Sequence, residues 1–268
     1  MVKERHQWLM ERMRRTWPHF VVDVDEIFEC PTPGWDYRVF YIRDWVLRMG
    51  ISPPSNTHLR YEMEKLKDLH LSLPIPDYLW QASWGGLYKK IPGRPISPSE
   101  LKQPRVQSVL AGFVGGLHDL KNLPKNYRSE RIRFRWKNRY RVLEDALRVT
   151  VFPLLTVKQQ RKAQEQFGQL FATLDKPWWP CLLHGDLSRD HILVEQGHIT
   201  GVIDFGDLMM GDPALDWAGW EVDKAPSEYI DRIQFYRWVA PTYKIRYVLE
   251  SGSVEEVERA MQEWLSLW

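Results

Sequence analysis

Between Cys181 and Trp220 the chain reads CLLHGDLSRDHILVEQGHITGVIDFGDLMMGDPALDWAGW, and three polar turns in that stretch each adjoin a short apolar run. Asp186 follows His184-Gly185, His191 comes seven residues after His184, and Asp204 opens the triplet Asp204-Phe205-Gly206. Phosphoryl transfer asks for little else: a carboxylate that orients and deprotonates the acceptor hydroxyl, and ligands that hold Mg²⁺ against the phosphates. Asp186 suits the base, Asp204 suits the carboxylate that grips the metal, and His191 stands where a second ligand should follow the base. The competing chemistry is that of a zinc or two-metal hydrolase, because His184, Asp186, Asp190 and His191 are its ligand types. That alternative leaves Asp204-Phe205-Gly206 and a strand-rich first part of the chain without a role.

The bulk composition permits such an enzyme. With 268 residues, 44% of them hydrophobic, the chain can bury a sizeable core in one large domain or two modest ones. Charges interrupt every apolar stretch of the N-terminus, and no later run approaches the ~20 residues of a membrane span, so a cytosolic protein without a membrane partner is expected. Cys30 and Cys181 are the two cysteines, too few for a disulfide framework or a four-thiolate zinc site, and both are expected to be reduced packing residues. The net charge of +2 gives no case for nucleic-acid binding. Its distribution is uneven: Asp204, Asp207, Asp212, Asp216, Glu221, Asp223, Glu228 and Asp231 face Lys224 alone, a net −7 that leaves +9 for the rest. That split suits a site holding a polyanion in one place and a cation in another, or a merely solvated acidic face.

Around the chemistry, residues 3 to 17 read as an amphipathic helix stopped by Pro18. HFVVDVDEIFEC, YRVFYI and WVLRM read as antiparallel strands, with turns at Asp36 and Arg43-Asp44. Leu59, Met63, Leu66 and Leu69 fall on one face of a helix over 56–71, and PDYLW and GGLYKKI read as two more strands meeting at Gly85-Gly86. IPGRPISPSE then marks a boundary between lobes, after which Ser97 or Ser99 caps a helix through His118. The basic and aromatic stretch 122–148 reads as a solvated helix face with core aromatics, and further helices are expected at 157–174, 229–239 and 254–268. LLHGD, HILVE and HITGVIDF read as short buried strands around tight turns.

These motifs carry a specific resemblance. HGDLSRDHILV and GVIDFGDLMMGDPALDWA are similar to the catalytic and metal-binding signatures of the aminoglycoside phosphotransferase family, which shares the protein-kinase fold. The resemblance covers residues 178–268 well and 20–120 more loosely. It implies an α+β, two-lobe kinase-like fold: a small antiparallel-sheet lobe with one helix over 1–91, and a larger, mainly helical catalytic and acceptor-binding lobe over 92–268. It implies Asp186 as base and His191 and Asp204 as Mg²⁺ ligands. The family's commoner residue at the His191 position is Asn, and His there resembles the branches acting on the 2''-hydroxyl of aminoglycosides or on macrolides.

For the nucleotide, ATP or GTP, the resemblance implies Gly34 in the phosphate loop with Trp35 as a lid. Arg48 stands in place of the usual lysine with Glu62 as its helix partner, and the hinge around Tyr88 includes Lys89 and Ile91. An arginine can fork onto phosphate or carboxylate oxygens. For a cationic acceptor, Glu221 and Asp223 are the preferred contacts, followed by Asp207 and Glu228. Trp217 and Trp220 either stack on sugar rings or belong to the core, and Asp212 and Asp216 brace the loop. The implied activity is transfer of the γ-phosphate to an aminoglycoside hydroxyl by a monomer or weak dimer, with antibiotic resistance as the associated role. A macrolide, spectinomycin, or a metabolite such as choline, homoserine or a sugar-like alcohol is the alternative acceptor, and a catalytically silent nucleotide or drug binder is the alternative of another class.

Overall fold

The computed structural model describes residues 2–31, 36–119, 129–220 and 224–268. They form two compact units, Met1–Ile96 with Asp190–Gly206 and Ser97–Arg189 with Asp207–Trp268. A single cut near residue 91 therefore becomes an interleaved division. The chain re-enters the first unit at Asp190 because Arg94–Pro95 pairs antiparallel with Ile192–Glu195, which in turn pairs with His198–Val202.

In the first unit, helix α1 (Val2–Thr16) precedes strands β1 (Ile27–Glu29), β2 (Tyr37–Ile42) and β3 (Trp45–Gly50). Helix α2 (Pro53–Leu66) and strands β4 (Tyr78–Ala82) and β5 (Gly85–Lys89) follow. The five strands make one antiparallel sheet in the order β1-β2-β3-β5-β4. Phe40, Ile42, Leu47, Met49 and Leu87 join Leu9, Met13 and Trp17 in one buried cluster. Strand alternation then sends Arg48, between Leu47 and Met49, to the opposite face.

That second face is served by α2. Ser52 caps the helix by accepting the Ser55 N–H at 3.3 Å, and Pro53 occupies the first helical position, where its missing N–H costs nothing. The helix thus starts earlier and ends sooner than its apolar spacing implied, with Leu69 beyond its end. Its buried residues Leu59, Glu62, Met63 and Leu66 follow helical spacing, so a carboxylate sits on the face that packs inward. Gly85 and Gly86 lie within β5 and not at the turn expected there. A Cβ on Gly86 would meet the Met63 sulfur at 2.5 Å and the Tyr78 ring at 2.6 Å, so close packing, not a bend, demands glycine.

The second unit contains the helices Pro104–Leu117, Ser129–Thr150, Val157–Leu174, Ile230–Val239, Pro241–Ser251 and Val254–Leu265. The single helix expected through His118 is two: Ser97 caps the short Pro98–Leu101, and Pro104, which cannot donate an N–H, opens the next. In the basic stretch, Trp136, Tyr140, Leu143 and Leu147 form the buried stripe of Ser129–Thr150, as a solvated helix with core aromatics requires. Tyr140 packs on Phe235 and Tyr236 with ring centroids 5.6 and 5.4 Å apart, and Phe167 on Phe235 at 5.3 Å.

Against this aromatic core lies a two-stranded ladder, Cys181–Leu183 with Met209–Gly211. Gly211 leaves room for Trp136, whose ring a Cβ would meet at 2.1 Å. Neither Cys30 nor Cys181 is in a disulfide, and burial pushes the Cys181 thiol well up. Among the described residues no helix is long and apolar enough to cross a membrane.

One polar chain crosses the second unit's core. The Trp136 indole N–H donates to the Tyr236 hydroxyl at 2.8 Å, and that hydroxyl donates to Asp212 Oδ2 at 2.6 Å. Tyr236→Phe removes one hydroxyl, which leaves the buried Trp136 N–H without its acceptor and Asp212 one donor short, without changing the ring packing. Stability measured by urea denaturation is expected to fall by about 1–3 kcal/mol at an unchanged m-value.

Candidate active site

The first unit's polar cluster is organised by Arg48. Its Nη1 donates to both Glu62 carboxylate oxygens, at 2.8 and 3.0 Å, and its Nη2 donates to Asp204 Oδ1 at 2.8 Å. The Tyr78 hydroxyl donates to Glu62 Oε1 at 2.9 Å, and the guanidinium lies 4.3 Å from the Tyr37 ring centre. Arg48 is 4% exposed and Glu62 1%. Charges so buried persist only when paired and hydrogen-bonded. Burial works against the charge on Arg48, but Glu62, Tyr78 and Asp204 hold its pKa well above the usual arginine value. Burial also pushes the Glu62 carboxyl above its ordinary range, against the pull of Arg48 and Tyr78.

Asp204 ends the segment after His198–Val202 in a left-handed conformation, φ 65°. A residue with a Cβ is uncommon there, and aspartate is among the few that tolerate it. The preceding Ile203 N–H donates to the His191 carbonyl at 2.9 Å, which ties the two arms of the hairpin together. His191 Nε2 then lies 3.6 Å from Asp204 Oδ2. Gly206 keeps the space beside Arg48 clear, since a Cβ there would stand 3.3 Å from Nη2. Arg48, Glu62, His191 and Asp204 are thus one connected cluster.

Among the described residues no three His, Cys, Asp or Glu gather as a metal cage. A carboxylate with one neighbouring donor is a partial set of the kind Mg²⁺ completes with phosphate oxygens and water, the imidazole being the softer of the two.

The second unit builds the turn that carries Asp186. After Cys181–Leu183 the backbone reaches Gly185 at φ 85°, where a Cβ would lie 2.2 Å from the Asp207 carbonyl oxygen. Both the dihedral and the close approach demand glycine. Asp216, fully buried, accepts the His184 N–H on Oδ2 and the Gly185 N–H on Oδ1, each at 2.9 Å. His118 Nε2 lies 2.9 Å from Asp216 Oδ2, and the Asp186 N–H donates to His184 Nδ1 at 3.3 Å. Burial alone would raise the Asp216 pKa, but the hydrogen bond from His118, the His184 ring and the Gly185 N–H together hold it below the ordinary carboxylate range. Asp212 is buried beside it in sequence, 2.7 Å from Arg232 Nε and bonded to the Ala214 N–H at 3.1 Å.

The remaining expected residues fall in varied places. Lys89 pairs in the sheet with Trp45, bonds Asp44 and lies 4.2 Å from the Trp45 ring centre, and the Lys90 N–H donates to the Asp44 carbonyl at 2.8 Å. Ile91 is buried just beyond the strand. Asp207 and Glu228 are exposed, with the Glu228 carbonyl accepting from Arg232 at 3.3 Å. Trp217 is 7% exposed and stacks on Trp220 at 5.2 Å, so its ring is committed to the core and not open to a sugar. Gly34, Trp35, Glu221 and Asp223 lie outside the described residues. Sequence reasoning missed Tyr37, Tyr78 and His118, and nothing local marks them: His118 is 98 residues from the carboxylate it meets.

A family model described as the phosphotransferase enzyme family matches residues 31–245. The chain belongs to that family. Viomycin phosphotransferase of Streptomyces vinaceus is 26% identical over 137 residues, 48% of this chain and 46% of that protein. The chain spans less than half the length of the curated relatives it matches. Among solved structures, the GDP and kanamycin complex of APH(2")-IIia is 19% identical, with a TM-score of 0.80 over 98% of each chain. A macrolide 2'-phosphotransferase of Brachybacterium faecium is 22% identical, with a TM-score of 0.65 over 96% of each chain. The α+β kinase-like fold expected from the sequence is the fold this family member has.

Glu62→Ala leaves a buried guanidinium facing a cavity. It is expected to lower unfolding stability by about 3–5 kcal/mol, read from the urea midpoint, with Glu62→Gln losing less because it retains an acceptor.

Proposed function

We propose that the chain transfers the γ-phosphate of ATP or GTP to a hydroxyl of a small cationic acceptor of the aminoglycoside class. The observation that carries this reading is the setting of Asp204: one oxygen is fixed by a buried arginine and the other is turned toward His191. A carboxylate so placed is held in one orientation, as a phosphate-bound metal requires. In this proposal Asp204 and His191 hold Mg²⁺, which when bound supplies positive charge against the transferring phosphoryl oxygens. Arg48 keeps Asp204 oriented and, through Glu62, is itself kept from swinging.

Asp186 is the proposed general base. It accepts the acceptor hydroxyl proton as the oxygen attacks phosphorus, and the Asp216 clamp on the preceding two N–H groups holds its turn in one conformation. The edge at Lys89 and Ile91 is the proposed purine contact, and the GDP in the solved neighbour supports a purine nucleotide as donor. For the acceptor, the kanamycin of that neighbour supports a polycation, which the exposed Asp207 and Glu228, with Glu221 and Asp223, would hold by charge-assisted hydrogen bonds. A macrolide acceptor is the second reading. It is favoured by the loss of Asp212 and Asp216 to internal bonds and by the macrolide enzyme of the same fold.

The test is turnover with Mg²⁺ and ATP or GTP against kanamycin, viomycin and a macrolide, with the product identified by the added phosphate mass. Asp186→Ala is expected to reduce kcat by about 10²-fold or more with nucleotide affinity retained, the scale of a general base. Asp204→Ala should weaken Mg-nucleotide binding as well. Nucleotide binding without turnover on any acceptor would refute the reading in favour of a silent binder.

A further inference from the structure

The basic helix Ser129–Thr150 spends Lys137 on Asp175 and Arg148 on Glu144. Arg139 is used differently. It stands one turn after Trp136, at the edge of the buried stripe, and its guanidinium reaches the strand Met209–Gly211, with Nη1 3.0 Å from the Met209 sulfur. The Trp136 ring centre lies 5.7 Å from the guanidinium carbon, and the Tyr243 hydroxyl, from the helix Pro241–Ser251, accepts a hydrogen bond from it. A thioether, a neutral phenol and an indole face hold the side chain in place without cancelling its charge, and the guanidinium has more N–H donors than these contacts use. Packing works against that charge, but Tyr243, Tyr140 and Asp207 hold the Arg139 pKa above the ordinary arginine value. Arg139 and Tyr243 are both exposed, so a ligand can reach the remaining donors.

That place adjoins the turn of the proposed base. Met209 pairs with Leu183, and Asp186 follows Leu183 by three residues, at most about 11 Å of chain. Asp207 is nearer still, because a Cβ on Gly185 would stand 3.0 Å from the Asp207 Cβ. An acceptor that presents its hydroxyl to Asp186 therefore meets an acid and a base together, both in the second unit. We propose that Arg139 is a specificity-determining residue: it takes up part of the Asp207 charge and donates to an acceptor oxygen, so this subsite takes an uncharged hydroxyl, ether or carbonyl group and rejects an ammonium. The inference deepens the reading of a small-molecule kinase and rests on it. The amino groups of the acceptor have to lie away from the strand Met209–Gly211, and an oxygen-bearing sugar or lactone edge faces it. An ammonium placed there would leave water to meet a guanidinium of its own sign, which is selection by repulsion as much as by attraction.

The test measures binding by calorimetry, and turnover, for wild type, Arg139→Gln and Arg139→Lys, with kanamycin as the polycation and a macrolide carrying one amine as the oxygen-rich acceptor. Arg139→Gln removes the charge and keeps a polar side chain on an exposed position. It is expected to lower the kanamycin Kd by about 3–5-fold, the scale of one exposed charge pair, and not to lower the macrolide Kd. The kanamycin gain should fade at high salt. Arg139→Lys keeps the charge and should keep the wild-type ratio of the two affinities. An unchanged ratio in Arg139→Gln, or the same shift in Arg139→Lys, would overturn the proposal. A wild type that turns over no acceptor while the ratio shifts as stated refutes the transfer reading and leaves the role of Arg139 standing. Turnover with an unshifted ratio overturns Arg139 alone, and binding of neither compound to wild type or Arg139→Gln overturns both.

Discussion

The pairing of Arg48 with Glu62 is the constraint that shapes the first unit. Two buried charges cannot be left to find water, so the guanidinium must be saturated by carboxylate and aromatic neighbours. Strand alternation puts Arg48 on the face away from the α1 cluster, and helical spacing puts Glu62 between Leu59 and Leu66 on the inward side of α2. With Nη1 taken by Glu62, the remaining Nη2 has a defined direction, and Asp204 lies along it. A hairpin inserted from far along the chain is therefore fixed in register with the sheet's own polar face. The unusual φ of Asp204 is a small strain of order 1 kcal/mol that a charge-assisted hydrogen bond of about 1.5–3 kcal/mol offsets.

The second unit solves the same problem with backbone in place of a second side chain. Asp216 accepts two main-chain N–H groups and His118, and Asp212 accepts one N–H, the Tyr236 hydroxyl and the Arg232 charge. The two carboxylates lie four residues apart, yet their pKa values move in opposite directions. Burial raises Asp212 despite Arg232 and Tyr236, whereas the donors around Asp216 outweigh its burial. With three donors around each and both fully buried, neither donor number nor depth separates the two; the kind and geometry of the donors does. The charge that stays is the one clamped on the turn of the proposed base.

Much of this was legible in the sequence because it is local. The strand pair around Arg43-Asp44, the inward face of α2 and the buried stripe of Ser129–Thr150 follow from periodicity and turn chemistry, which the folded chain cannot violate without exposing its core. The turns at Asp186 and Asp204 stand out because each carries a glycine: Gly185 is forced by φ and by the Asp207 carbonyl, and Gly206 sits close against Tyr37 and Arg48. What was not legible is partnership across long sequence separation. Nothing near Tyr78 says that its hydroxyl meets Glu62, and nothing near His118 says that it meets Asp216. Local signals can also mislead, as at Gly85-Gly86, where a glycine pair that suggests a turn serves close packing inside a strand, Gly85 against the Arg48 carbonyl and Gly86 against Met63 and Tyr78.

Charge counting shows the same limit in a form that bears on the proposed acceptor. The window 204–231 holds eight acids and one base, and by count alone it is a strong attractor for a polycation. Burial sorts those acids. Asp212 and Asp216 are fully enclosed and matched by internal donors, and Asp204 gives one oxygen to Arg48. Asp207, Glu228 and Asp231 are exposed, where attraction for a cation is weak singly and screened by salt. Of the described acids in that window, only Asp207, Glu228 and Asp231 are fully exposed to an approaching acceptor, fewer than the formal count of acids. Discrimination among acceptors then has to come from close hydrogen-bond geometry at a few exposed carboxylates, and a neutral or singly charged acceptor is disfavoured far less than the composition suggests.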